Sequence, residues 1–237
     1  MKQKEYVIEA MLKNGGYATF GKLNNSIDFS QWGTKTPFAS VRRIVQTNKE
    51  FFRIQPGLWG LSDCKEKILK KLNIIENDQN SIELFTHSYF QGIITEIGNM
   101  RNFATYVPPQ DKNKMFLEKR LSEITTIDKI YEFTYPEILR KARTVDVIWF
   151  NERKMPMSFY EVEHSTDIKN SLSKFYELQD FRADYFIVAA KERESQFNDI
   201  IASSQYKDIR KYTRFVNYDD LINQYNLEGQ LLIRRTI

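Results

Sequence analysis

Cysteine is almost missing from this chain, with Cys64 the one thiol in 237 residues. That excludes an intrachain disulfide framework and any cysteine-built zinc cluster. No uninterrupted apolar run approaches the length needed to span a bilayer. The start, MKQKEYVIEAM, is charged at helical spacing where a secretory leader would carry an apolar stretch. Gly-rich phosphate loops, GKS/T signatures and Ser-His-Asp arrangements are also missing, so nucleotide hydrolysis and acyl transfer have little support. Neither an internal repeat nor a low-complexity segment is present. These absences point to a reducing, cytoplasmic setting without a membrane partner. What the chain does have is 41% apolar residues and 14% aromatics, enough for real cores. Its length suits one large or two modest domains.

The net charge of +4 is unevenly spread. Residues 1–62 carry nine Lys and Arg against four acids, a net +5, and the other 175 residues sum to −1. A basic small domain joined to a near-neutral larger one suggests that the first approaches a polyanion. Residues 5–13 read as a helix with Tyr6, Ile8, Met11 and Leu12 near one face, stopped by Gly15-Gly16. Thr19 begins a second helix, and Thr36-Pro37 opens a third, PFASVRRIVQTN, as a Thr cap followed by Pro. Then come the run FFRI, a Gln55-Pro56-Gly57 turn and the run LWGL. Residues 63–80 read as a linker, with 65–72 able to add a helix and 76–80 wholly polar.

From residue 81 a second domain of α/β type begins. Residues 81–100 are helical by the spacing of Leu84, Phe90, Ile93, Ile94 and Ile97, and FATYV at 103–107 is a strand ended by Pro108-Pro109. Residues 111–143 are the least legible, with 116–121 and 138–142 reading as helical and the whole insertion available to dock DNA or a partner subunit. Later, 167–178 is a helix with Ile168, Leu172 and Phe175 inward, DYFIVA at 184–189 a buried strand and 193–203 a helix. Residues 213–216 form an edge strand and 218–225 a closing helix.

At the centre lie two β-type runs, VDVIWF (145–150) and MSFYEVEH (157–164), joined by a polar hairpin connection. Acids inside these apolar runs are the anomaly. Side-chain alternation puts Glu161 and Glu163 on one face, with Tyr160, Val162 and His164 on the other, and Asp146 falls in the partner strand. The spacing alone allows two readings. Antiparallel strands commonly keep one wet face, so the glutamates can simply meet water, with Asp146 a strand-end cap. Alternatively, three carboxylates at adjoining positions are held together by a cation, and carboxylate oxygens suit magnesium.

An Asp in one strand, Glu-x-Glu in the next and a helix after it resemble the PD-(D/E)XK nuclease fold of restriction endonucleases. DVIWF followed by EVEHSTDIKNSLSKFYEL looks like a restriction-endonuclease-like subgroup with a Glu-Val-Glu-His/Asn-Ser/Thr-Thr pattern. The resemblance covers residues 81–225 and implies a mixed sheet flanked by helices, in a nuclease domain of residues 81–237. It also implies Mg2+ or Mn2+ on Asp146 and Glu161, polarising the scissile phosphate and activating water. Glu163 stands where the family commonly has Lys, and would hold water or act as general base. Lys174, folding back, would supply the missing positive charge; a solvated Lys174 is the plainer reading. A Glu or Gln from the opening helix often joins such sites, which makes Gln91 and Glu96 candidates, of which one serves. His87 reads as a capping or solvent-facing histidine.

Residues 1–62, three helices and a hairpin, resemble a winged helix of the HARE-HTH type. That resemblance puts the third helix in the major groove of double-stranded DNA and the hairpin alongside as a wing. Lys35, Thr36, Ser40, Arg42 and Arg43 are then the DNA-binding candidates, with Gln55 at the wing tip and Trp59 anchoring the hairpin. A protein-binding winged helix, or a merely solvated basic face, is the competing reading. The function implied is restriction-type cleavage, with base modification either required for cutting or blocking it. A homodimer is expected because each chain carries one acidic constellation and a duplex has two strands. The rival is a DNA-binding regulator whose nuclease-like domain is inactive and dimerising.

Overall fold

The computed structural model describes residues 2–164 and 167–235, without the side chains of 233–235. Ser165 and Thr166 of the Glu-Val-Glu-His-Ser-Thr motif therefore lie outside the described residues. The chain forms two compact units. One holds residues up to Ile82 together with the last helix from Gly229 onward, and the other is Glu83–Glu228. No helix among the described residues is long and apolar enough to cross a membrane.

The first unit runs α1 (Gln3–Lys13), β1 (Tyr17–Thr19), α2 (Phe20–Ser26), α3 (Pro37–Thr47), β2 (Phe51–Gln55), β3 (Leu58–Leu61) and α4 (Lys65–Lys71). Strand β3 pairs antiparallel with both β2 and β1. β1 is too short to show a period, so only the hairpin is visible in the sequence. Pro56 and then Gly57 at φ 77° supply what a type II turn needs at its two central positions. In α1 the inward face is Val7, Ala10 and Met11, while Leu12 is exposed, one position off the expected stripe. The Thr19 hydroxyl caps α2 by accepting from the Lys22 amide at 3.3 Å. Thr36 precedes α3 as expected but makes no side-chain cap bond, so the start of this helix rests on Pro37. α3 buries Val41, Ile44 and Val45. The stretch read as a linker is partly structural: Ile68 of α4 is buried, and a Cβ on Gly60 of β3 would stand 3.1 Å from its Cδ1.

The remaining elements are α5 (Gln79–Met100), β4 (Ala104–Tyr106), β5 (Met115–Phe116), β6 (Lys119–Arg120), α6 (Leu121–Ile124) and α7 (Pro136–Ala142). They continue as β7 (Val147–Phe150), β8 (Pro156–Glu163), α8 (Ile168–Tyr176), β9 (Asp184–Ala189), α9 (Glu194–Ile201), β10 (Thr213–Asn217) and α10 (Tyr218–Arg235). Residues 116–121, read as helical, instead include a small antiparallel hairpin in which Phe116 pairs with Lys119. A two-residue strand carries no period, and Leu117 turns the chain at φ 55°. Of the α5 core spacing, Phe90, Ile93, Ile94 and Ile97 are fully buried, but Leu84 is 53% exposed.

Five strands form one mixed sheet in the order β10-β9-β8-β7-β4. β8 pairs antiparallel with β7 and parallel with β9, so it is the central strand. Both of its faces are covered. Phe159 joins Tyr185, Ile187, Ile148 and Phe150 in a core completed by Ile168, Leu172 and Phe175 of α8. On the other face Tyr160 stacks on Phe186 at 4.6 Å and meets Trp149 at 4.7 Å. α5 closes this face, with Gly98 against Trp149.

That close approach is testable. A Cβ on Gly98 would fall 2.6 Å from Trp149 Nε1 and 2.7 Å from Thr105 Cγ2, whereas one on Gly229 of α10 meets nothing within 4 Å. Gly98→Ala should destabilise the fold by about 1–3 kcal/mol through overpacking. Gly229→Ala should stabilise it by up to about 1 kcal/mol through helix propensity alone. Urea unfolding of the two variants checks both signs.

Candidate active site

The wet-face reading of β8 fails on burial, since Glu161 is 2% and Glu163 4% exposed. Both project toward α8 from the central strand, and Asp146, immediately before β7, is nearly as buried. The register that pairs Val147 with Tyr160 brings Asp146 alongside the Glu161 end of β8. Its Oδ2 accepts the Val162 amide at 2.8 Å.

α8 supplies the countercharge. Ser171 and Lys174, three residues apart, share one helix face. Lys174 Nζ donates to Glu161 Oε2 at 2.7 Å and Oε1 at 3.0 Å, and to the Thr144 carbonyl at 3.2 Å. The plainer expectation of a solvated Lys174 is thus overturned. Ser171 Oγ stands 3.0 Å from Glu161 Oε2 and also bonds Glu163 Oε1 closely. One hydroxyl carries one proton, so it can donate to only one of the two glutamates at a time. Glu161 itself is shifted. Burial, then the charge of Asp146, push its pKa well above the usual carboxylate range, against the pull of Lys174 and Ser171.

α5 approaches Asp146 from the opposite side. His87 Nε2 is 3.2 Å from Asp146 Oδ2, contrary to the solvent-facing expectation. Gln91, one turn on and fully buried, donates from Nε2 to the Asp146 carbonyl at 3.1 Å and to Asp111 Oδ2 at 2.7 Å. Its Oε1 is buried without a partner among the described residues. Asp111, buried and ion-paired to Lys114 at 2.6 Å, is a participant that no period or motif in the sequence marks. Glu96 is not brought to this cluster. It accepts a hydrogen bond from Tyr225 of α10, because five residues turn it to another side of α5.

Burial works against ionising Asp146, but the His87 contact and charge, the Val162 amide and Lys174 outweigh it and hold its pKa below the ordinary value. Burial likewise works against His87⁺, and Asp146 outweighs it, raising the imidazole. Among the described residues no three His, Cys, Asp or Glu side chains are grouped so as to hold a metal ion unaided. The cation now against Glu161 is Lys174.

The DNA-binding candidates belong to the first unit. Lys35, Thr36, Arg42 and Arg43 are exposed, and Ser40 is half-buried with its hydroxyl donating to the Thr36 carbonyl at 3.2 Å. Arg42 lies over the Phe20 ring at 5.2 Å, which fixes its direction. Gln55 does not project as a tip residue. It is half-buried and lines a recess of about 570 Å³ with Phe52, Lys65 and Leu69.

The His87–Asp146 pair gives a pH prediction. A raised imidazole pKa means that the pair stabilises the folded chain fully below the ordinary value of 6.5, and that this contribution is lost as pH rises through the folded value. In metal-free protein, His87 should titrate above 6.5, and Asp146→Asn should bring it down. Imidazole NMR of the two proteins reads this directly.

Comparison with known proteins adds three findings. The type II restriction enzyme NmeDI of Neisseria meningitidis serogroup C is 25% identical over 104 residues, which are 42% of this chain and 30% of that protein. The match therefore spans less than a third of the curated relative's length. No solved structure matches. Residues 69–234, most of the chain and all of the clustered acids, match the family described as the type II restriction enzyme NmeDI C-terminal domain, and the chain belongs to that family.

Proposed function

We propose that the chain is a restriction-type endonuclease, hydrolysing DNA phosphodiester bonds with a divalent metal at the Asp146–Glu161 site. In this reading the second unit is a PD-(D/E)XK-like nuclease, and the first is a winged helix that reads at least part of the target. The observation that carries it is the burial of Asp146 and Glu161 at adjoining strand positions, with Lys174 gripping Glu161. Family membership and the restriction-enzyme relative support the same chemistry. The rival reading, an inactive nuclease-like domain, leans on the missing lysine at position 163. Lys174 supplies that charge from the next helix.

The donor set fits Mg2+ or Mn2+. Magnesium is commonly held by one or two carboxylates plus substrate phosphate, so a closed cage of three side chains is not required. Asp146 and Glu161 would hold it, with Gln91 Oε1, which has no partner among the described residues, as a further hard oxygen in the cluster. Bound there, the ion supplies charge neutralisation at the phosphate undergoing attack.

The chain's own groups do the rest. Val162 N–H and His87 fix Oδ2 of Asp146, leaving Oδ1 for other work. Lys174, held on Glu161, places an ammonium where negative charge grows on the phosphate. Glu163, fixed by Ser171, is the group to take a proton from the attacking water. One such site cuts one strand, so two copies of the chain complete a double-strand break.

Plasmid cleavage with magnesium tests this reading. Asp146→Ala and Glu161→Ala should abolish cutting, and Lys174→Met should lower it by about 10²–10³-fold. Glu163→Lys in the Lys174→Met background should restore part of the activity by returning a cation to the cluster. Nicking should be first order in enzyme and linearisation of higher order. Wild-type rates in Asp146→Ala or Glu161→Ala would sink the assignment.

Target reading by α3 has its own test. Arg42 is held in place by Phe20 and Arg43 is exposed beside it. One reads a base, and its loss should relax sequence preference by about 1–3 kcal/mol. The other holds phosphate, and its loss should weaken binding to all sequences alike. Binding of Arg42→Ala and Arg43→Ala chains to target and scrambled duplexes separates the two roles. Unchanged preference in both would move recognition elsewhere.

A further inference from the structure

We infer that the β5–β6 hairpin is a second docking surface, one that binds the phosphate backbone of duplex DNA beside the Asp146 site. This rests on reading that site as a nuclease centre. Sequence and charge give the first observation. Lys112, Lys114, Lys119 and Arg120 crowd one short segment of a domain that is otherwise near neutral. Of the acids around it, Asp111 is buried and bound to Lys114 and Gln91, Glu118 is exposed at the turn, and Glu123 turns its carboxylate in to accept the Arg120 amide at 2.6 Å. Lys112 turns back to Asp128. The outward basic face is therefore Lys119 and Arg120, both exposed, with Lys114 a third cation on the side of the acids.

The second observation is how firmly this small element is held. Phe116 is buried, and a Cβ on Gly92 of α5 would collide with its ring, so the hairpin sits in a notch cut into the longest helix. Its backbone is closed by Leu121 N–H to the Lys114 carbonyl and Ser122 N–H to the Lys112 carbonyl, each at 3.0 Å. The Gln91 amide bonds both Asp111 and the Asp146 carbonyl. One side chain therefore fixes the root of the hairpin in register with the catalytic acid. A surface loop needs no such anchoring to be soluble. Phosphate contacts do need it, because they set the register of a duplex against the bond to be cut.

The experiment uses the full chain, a labelled mixed-sequence duplex and EDTA, so that binding is read without cleavage. Replacing Lys119 and Arg120 together by Ala should weaken binding on every duplex alike. It should also lower the slope of log affinity against log salt by about 0.9 for each lost contact, so by about 2 in the double variant. Replacing both by Glu should act in the same direction and further. Both positions are exposed, so folding is not at risk. An affinity and slope equal to wild type in both variants would overturn the inference, as would a wild-type chain that does not bind duplex. If the variants lose slope but no divalent metal brings wild-type cleavage, the docking surface stands and the nuclease reading falls. If wild type cleaves and the variants keep its slope, the hairpin inference alone falls.

Discussion

Ionised carboxylates in the middle of a sheet need a partner, because an unpaired buried charge is among the most costly features a fold can carry. The grip of Lys174 on Glu161 meets that need here, and much of the second unit is arranged so that it can form. α8 must lie flat on the sheet for the ammonium to reach. The fully buried Ile168, Leu172 and Phe175 hold it there, each worth about 1.5–3 kcal/mol of apolar burial. The same helix face delivers Ser171 to both glutamates. Packing on one side of α8 and electrostatics on the other are thus one constraint: a shift of the helix that loosened the core would also strand the acids.

Asp146 is held independently, by α5 and by the amide of the neighbouring strand. His87 and Gln91 are one helical turn apart and reach its side chain and backbone respectively. The two acids are therefore positioned by two helices, and their relative placement depends on the sheet between them. Such support, in which the partners of a reacting group are themselves fixed, keeps the geometry of a site within the tolerance that chemistry needs.

Much of this was legible in the sequence. The boundaries of β9 were read to the residue, and α3, α8 and α9 nearly so, because their apolar residues recur at a clear period. Asp146, Glu161 and Glu163 stood out because acids in β-type runs conflict with local expectation. Ser171 left no such signal, since a serine on a helix face is usually solvated. His87 and Asp111 were missed for a related reason: their roles depend on residues distant in the chain, which no spacing rule links. Glu96 is a candidate through the family resemblance alone, and helix geometry turns it to Tyr225. The β5–β6 hairpin reads as helical in the sequence because two-residue strands have no period and its turn depends on the unusual φ of Leu117.

Gly92 carries a consequence for the sequences this fold can explore. A glycine inside a helix costs about 1 kcal/mol relative to alanine, yet here it sits in the longest helix of the chain because Phe116 occupies the space of its missing side chain. Positions 92 and 116 are therefore not free to drift separately. A larger residue at 92 requires a smaller one at 116, and that exchange would release the hairpin from its notch. Inheritance should treat the two as a single character, gained or lost together, and a chain with alanine at 92 should be one whose insertion has taken another shape.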